Sequence, residues 1–298
     1  MLITLIVLLA ALVLGQPQPA ANPSSPAAAP ATQPSSAPEK VRQPTTRADG
    51  GLTRKTWTVD GQERIALLHI PADAAPAPVV FAFHGHGGNA RNASMSFRMH
   101  TLWPEAIVVY MEGLPTRGAL TDPDGKLNGW QNREGVENDR DLKFFDAVLT
   151  SLKADYKVDD RRIYAMGHSN GGGFTYLLWK ARPDVFAAFA PSGAFTLQAT
   201  SLKAKPAMHI AGKNDELVKF PFQERTMEAI RKLDGCDEKG ETWAKDCTLY
   251  ASKSGTPVVT MIYDGTHKYP SEAPALIVKF FKGQLKPGPE ASSAKTGG

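Results

Sequence analysis

Apolar and polar positions alternate over residues 53–59 and 64–70, and Asp60-Gly61 lies between the two stretches, which is the pattern of a β-hairpin. Further along, the pattern changes to short unbroken apolar runs at 79–83, 107–110, 163–166, 186–190, 207–211 and 258–263. Runs of that kind are strands covered on both faces, as in a parallel sheet. The segments between them carry a helical period. Residues 139–156 place Leu142, Phe145, Val148, Leu149 and Leu152 on one face, and 172–182, 222–233 and 274–282 are further helical segments. Antiparallel entry strands followed by repeated strand–helix–strand units predict an α/β domain with a mostly parallel, eight-stranded sheet and helices on both faces.

The ends of the chain read differently. Residues 2–14 are almost continuously apolar, too few to span a bilayer comfortably and right for the core of an export leader. No Lys or Arg precedes that run, so two readings stand: a leader cut near Gly15 or Ala20–Ala21, or a retained, marginal N-terminal membrane anchor. From there to residue 50 the chain is Pro, Ala, Ser, Thr and Gln, with too few large apolar groups to offset the entropy of ordering. The expected organisation is a leader or anchor at 1–21, a Pro-rich spacer at 22–50, the α/β domain at 51–285 and a disordered tail at 286–298. A secreted, periplasmic or cell-envelope location follows from the leader.

Composition narrows the function. The hydrophobic fraction of 42% against 21% charged residues excludes a fully disordered chain, and a net charge of +4 without a dense basic run argues against a nucleic-acid partner. The two cysteines, Cys236 and Cys247, share one polar stretch with no His or further Cys at ligand spacing, so no metal is expected there. In an exported chain they are expected to form a disulfide; the alternative is two free thiols.

The strongest chemical signal is Gly167-His168-Ser169-Asn170-Gly171, directly after one predicted strand and directly before a helix. GxSxG in that setting is a nucleophile elbow, which presents Ser169 Oγ above the sheet. Serine needs a base, and the base an orienting acid. Downstream of Ser169 there are two histidines. His209 lies inside an apolar strand and reads as a packed side chain; His267 follows the last strand in Asp264-Gly265-Thr266-His267 and is the expected base. Asp215, just past the preceding strand, is the expected acid, with Asp264 as competitor. The N–H of Asn170 and an N–H from His84-Gly85-His86-Gly87-Gly88-Asn89 would hold the oxyanion, His86 first and Gly87 second. His84 and His86 lack an evident third ligand, so no metal or other cofactor is expected. Trp130, in Gly129-Trp130-Gln131-Asn132, either stacks on an acyl or sugar group or packs beneath its loop.

The run NDRDLKFFDAVLTSLKADYKVDDRRIYAMGHSNGGGFTYLLWKARPDVFAAFAPSGA, residues 138–194, resembles the polyhydroxybutyrate depolymerase-like esterases, which include feruloyl and acetylxylan esterases. The resemblance extends to the FHGHGGN loop and to the turns holding Asp215 and His267. It implies an α/β-hydrolase fold and a secreted serine esterase with the triad Ser169, His267 and Asp215, and the cysteine loop looks like a family feature. Tyr269 stands where many relatives have Trp, a departure on the leaving-group side of the pocket. Only about 191–206 separate two predicted strands, so no large cap domain fits, and the cleft should be open to ester groups on polymeric partners, polysaccharide or polyester. Two other readings are a prolyl-oligopeptidase-like serine peptidase and a hydrolase-fold binding protein without activity.

Overall fold

The computed structural model describes residues 46–47, 51–72, 75–118 and 120–287. The expected leader, nearly all of the expected spacer and the last eleven residues lie outside the described residues. Thr46–Arg47 (β1) pairs with Thr53 and Arg54 of β2 (Thr53–Val59), so the sheet begins inside the stretch expected to be spacer.

β2 turns through Asp60-Gly61 into β3 (Gln62–His69), both turn residues having positive φ. Then follow β4 (Ala77–Phe83), α1 (Ala90–Phe97), α2 (Met99–Leu102), β5 (Ile107–Met111) and a small two-stranded ribbon, β6 (Leu114–Pro115) with β7 (Asn128–Gly129). α3 (Arg140–Asp155), β8 (Val158–His168), α4 (Asn170–Ala181) and β9 (Ala188–Ser192) form the centre. β10 (Ala207–Gly212), α5 (Phe220–Leu233), β11 (Glu241–Ala244), β12 (Cys247–Tyr250), β13 (Val258–Tyr263) and α6 (Ala273–Lys282) complete it.

The strand order is β1-β2-β3-β5-β4-β8-β9-β10-β13-β12-β11. The six strands from β5 to β13 are mutually parallel, and β2, β3, β11 and β12 extend the sheet antiparallel at its two sides. The eight expected strands are all present. β1, β11 and β12 bring the main sheet to eleven among the described residues. β11 and β12 escaped the pattern because they are only four residues each and partly exposed, with Trp243, Ala244, Cys247 and Leu249 packing onto the core.

Side chains of the central strands alternate between two apolar layers. In β4, Val79, Phe81 and Phe83 face the layer with Phe144, Phe145 and Phe174 from α3 and α4. Val80 and Ala82 face the layer with Phe97, Ile277 and Phe281 from α1 and α6. Both faces are therefore dry, which is why the strands read as unbroken apolar runs.

The expected disulfide is corrected. Cys236, after α5, packs against the first layer, and Cys247, in β12, packs in the second, so the two side chains belong to opposite faces of the sheet. Both are free thiols. Burial pushes each up to about 11, which keeps them protonated and unreactive at neutral pH.

Candidate active site

β8 ends at His168 and α4 begins at Asn170, so the chain reverses from strand to helix at one residue, Ser169, with φ +58° and ψ −122°. That is a strained conformation for a non-glycine residue. The flanking glycines make it reachable: a Cβ on Gly167 would lie 2.3 Å from Gly171 O, and one on Gly171 would lie 2.2 Å from Phe83 O. Ser169 N–H donates to Ser192 O at 2.8 Å, tying the elbow to the end of β9.

The turns after β10 and β13 meet backbone to backbone beside it. Lys213 N–H donates to Tyr263 O, and Asn214 N–H to Gly265 O. This contact brings Asp215 to His267. His267 Nδ1–H donates to Asp215 Oδ2 at 2.7 Å, and His267 Nε2 lies 2.8 Å from Ser169 Oγ. Because Nδ1 carries the hydrogen, Nε2 presents its lone pair to the serine hydroxyl. Asp215 is 4% exposed and also accepts from Leu217 N–H at 3.1 Å, Val218 N–H at 2.8 Å and Gln223 Nε2 at 3.0 Å. Asp264, the competitor, is exposed and accepts from Asn214 Nδ2 at 2.8 Å, away from the imidazole.

The loop from His84 to Gly88 passes directly over the serine: a Cβ on Gly85 would lie 3.5 Å from Ser169 Cβ. Gly87 N–H is committed to Asn128 O at 2.7 Å, which removes it as an oxyanion donor. His86 Nε2 lies 3.1 Å from Asp122 Oδ2, a carboxylate that also accepts from Leu127 N–H. Asn170 N–H opens α4 and so has no acceptor within the helix. Its side chain clamps the loop: Oδ1 accepts from Trp130 N–H at 2.7 Å, and Nδ2 donates to Trp130 O at 3.2 Å. His84 is buried, its Nε2 accepting from Gly113 N–H at 2.9 Å and its Nδ1 donating to Gly85 O at 2.7 Å. Desolvation lowers it to about 4, so the ring is a neutral spacer.

Trp130 is 1% exposed. Its ring stacks on Phe174, meets Phe83 edge-on and donates from Nε1 to His84 O at 2.9 Å. It packs beneath its loop and offers no face to a substrate, which corrects the stacking expectation. Tyr269 is half-buried. It meets Phe97 and His168 edge-on and borders, with the His84–Gly88 loop, a cavity of about 280 Å³. His168 was not expected to contribute. Its ring lies 4.9 Å from His267, its Nδ1 is 3.1 Å from Ser192 Oγ, and burial lowers it to about 4. Among the described residues no cluster of three His, Cys, Asp or Glu side chains has a geometry that would hold a metal ion.

Residues 129–205 match the prolyl oligopeptidase family. The chain is 25% identical over 223 residues to a probable feruloyl esterase C of Aspergillus niger, covering 70% of this chain and 77% of that protein. It is 23% identical over 187 residues to a bifunctional acetylxylan esterase/xylanase of Neocallimastix patriciarum. That match covers 61% of this chain and 26% of the relative, so the chain spans about a quarter of that protein's length. A cold-adapted esterase from an Arctic intertidal metagenomic library superposes with a TM-score of 0.57 over 81% of this chain and 97% of that one, at 15% identity. Fold and site together define an α/β-hydrolase. The relatives and the solved structure that the chain is similar to are named as esterases.

Proposed function

We propose that the protein is a serine carboxylic ester hydrolase that works through an acyl-enzyme on Ser169. The observation that carries this is the unbroken line Ser169 Oγ–His267–Asp215 at 2.8 and 2.7 Å, with the oxyanion loop lying over the serine. His267 Nε2 takes the hydroxyl proton as Oγ attacks the ester carbonyl. The negative oxygen that forms is held by the N–H groups of Asn170 and His86. Collapse breaks the bond to the alkoxy oxygen, and His267 returns the proton to the departing alcohol. Water then attacks the acyl-enzyme with His267 again as base, and the carboxylic acid leaves. Asp215 stays ionised throughout and stabilises the imidazolium.

Short acyl esters on bulky alcohols are the substrate class we infer. Only residues 193–206 separate β9 from β10, and they carry nothing larger than a three-residue turn. No cap therefore encloses an acyl tunnel from that side. A methylene adds about 0.8 kcal/mol to binding only where it leaves water. A second open depression of about 340 Å³ lies one helical turn beyond the serine, between Gly173 and Phe195. The relatives named as feruloyl and acetylxylan esterases favour esters on plant polysaccharide. The apolar 2–14 stretch favours export of the enzyme to meet such a polymer.

Fluorophosphonate labelling with peptide mapping, together with kcat/KM for p-nitrophenyl acetate, butyrate, octanoate and palmitate, tests the reading. Expected are labelling at Ser169 and a plateau or fall beyond a few carbons. Absence of label refutes the acyl-enzyme, and a value climbing steadily to palmitate refutes the short-acyl preference. The match to the prolyl oligopeptidase family favours a second reading, peptide cleavage after proline. Release of p-nitroaniline from a blocked Gly-Pro anilide, faster than ester turnover, would establish it instead.

A further inference from the structure

Behind Asp215 the hydrogen bonding continues into the protein. Gln223, on α5, donates from Nε2 to Asp215 Oδ2 at 3.0 Å and to Val218 O at 2.6 Å. Both of those oxygens can only accept, so the amide orientation is forced and Oε1 points the other way. There it meets His209 Nε2 at 3.3 Å. An acceptor on that side requires the hydrogen on Nε2, which leaves Nδ1 as a lone pair. Tyr176 O–H, from α4, donates to that lone pair at 2.6 Å. Tyr176 is 3% exposed, His209 1% and Gln223 0%, so water cannot substitute for any link.

Every donor in this series faces the same way: Tyr176 to His209, His209 to Gln223, Gln223 to Asp215. Aligned hydrogen bonds polarise one another, and low local dielectric strengthens each. With the two backbone donors and His267, the carboxylate receives four N–H groups.

We propose that Tyr176, His209 and Gln223 form a one-directional polar chain that holds Asp215 ionised and aimed at His267, with Gln223 as the positioning residue for the triad. The inference rests on the catalytic reading above. It has a measurable sign. With one donor fewer, the charge on Asp215 is less dispersed and holds the His267 proton more strongly. The imidazole then takes up its proton at a higher pH, and the acid limb of the kcat/KM profile moves up. The other groups beside the pair are His168, at the end of β8, and Tyr263, on β13. Neither changes in the variants below. His209 itself is lowered to about 4 by burial, so the chain keeps its polarity across the assay range.

The experiment compares wild type, Gln223→Met, Tyr176→Phe and Ser169→Ala on p-nitrophenyl acetate from pH 5 to 8. Gln223→Met keeps the volume and removes the donor. It is expected to lower kcat about tenfold with KM within twofold, and to raise the acid limb by about half a pH unit. Tyr176→Phe removes one oxygen from the far end and is expected to shift both in the same direction, less than Gln223→Met. It also keeps the test open if Gln223→Met does not fold. A loss of thermal stability with kcat and the acid limb unmoved in the folded variants overturns the chain. Activity that survives in Ser169→Ala overturns the triad itself, a different result from loss in Ser169→Ala with both chain variants unaltered.

Discussion

The two sides of Ser169 are held by different means. On the oxyanion side the work falls to the backbone of the loops: Gly87 supplies a positive φ, Gly87 N–H is tied to Asn128 O of β7, Gly113 N–H to His84 Nε2 and Trp130 N–H to Asn170 Oδ1. On the acid–base side it falls to side chains, from His267 through Asp215 to Gln223 and His209. The difference follows from what each side must present. An oxyanion needs N–H groups fixed in space, and the loop reaches that geometry through Gly87 at φ +77° and Gly88, where a Cβ would lie 3.0 Å from Gly85 O. A base needs one imidazole in one tautomer, which only specific donors and acceptors can set.

The sharpest break comes where the two sides meet. Ser169→Ala or His267→Ala is expected to lower kcat on p-nitrophenyl acetate by roughly five to six orders of magnitude, because nucleophile and base act as a unit. Asp215→Asn should cost about 10⁴, since the amide favours the wrong tautomer of His267. Asp264→Asn, whose carboxylate accepts from Asn214 and not from the imidazole, should stay near wild type. Equal losses in the two Asp variants would move the orienting role to Asp264.

The oxyanion side should give a smaller effect, since a side chain there acts through the backbone it holds. Asp122→Ala leaves His86 Nε2 and Leu127 N–H without their shared acceptor and frees the loop beside Gly129. About a tenfold fall in kcat with KM little changed is expected, on the scale of a displaced rather than a deleted donor. A KM effect alone would make this loop a binding surface and not part of the oxyanion site.

The same division governs what the sequence made legible. The elbow, Asp215 and His267 were readable because each sits in a turn at the end of an apolar strand, where the chain announces its geometry locally. The strands buried on both faces were readable for the same reason. Trp130 was ambiguous because its burial depends on Phe83 and Phe174, which come from two other elements. Gln223 gave no signal, since it lies inside a helix and reaches its partners only through tertiary packing. The cysteines misled because their nearness along the chain says nothing of the sheet that separates their side chains.

Each side of the serine also holds a neutral buried histidine, His84 on the oxyanion side and His209 on the other, with His168 between them, and this shapes stability against pH. All three are lowered to about 4 by desolvation. Between about pH 4 and 6.5 the folded protein thus binds fewer protons than the unfolded chain at these rings, so stability rises with pH across that window and gains nothing further above it. Asp234 has the opposite sign. It is 1% exposed, its Oδ2 has no partner, and burial raises it to about 8. From about pH 4 to 8 the folded state holds a proton there that the unfolded chain gives up, so this group alone makes stability fall as pH rises. Three rings outweigh one carboxyl below 6.5, at about 1.4 kcal/mol per pH unit for each proton at most. Above 6.5 the carboxyl continues to titrate, and Lys205, lowered to about 8 by desolvation, opposes it only near pH 8 and beyond. The thermal midpoint is therefore expected to peak near pH 6.5, several degrees above its value at pH 5 and less far above that at pH 8. Asp234→Asn should flatten the alkaline side and leave the acid side in place. A wild-type midpoint that keeps rising to pH 8 would show that Asp234 is ionised in the fold.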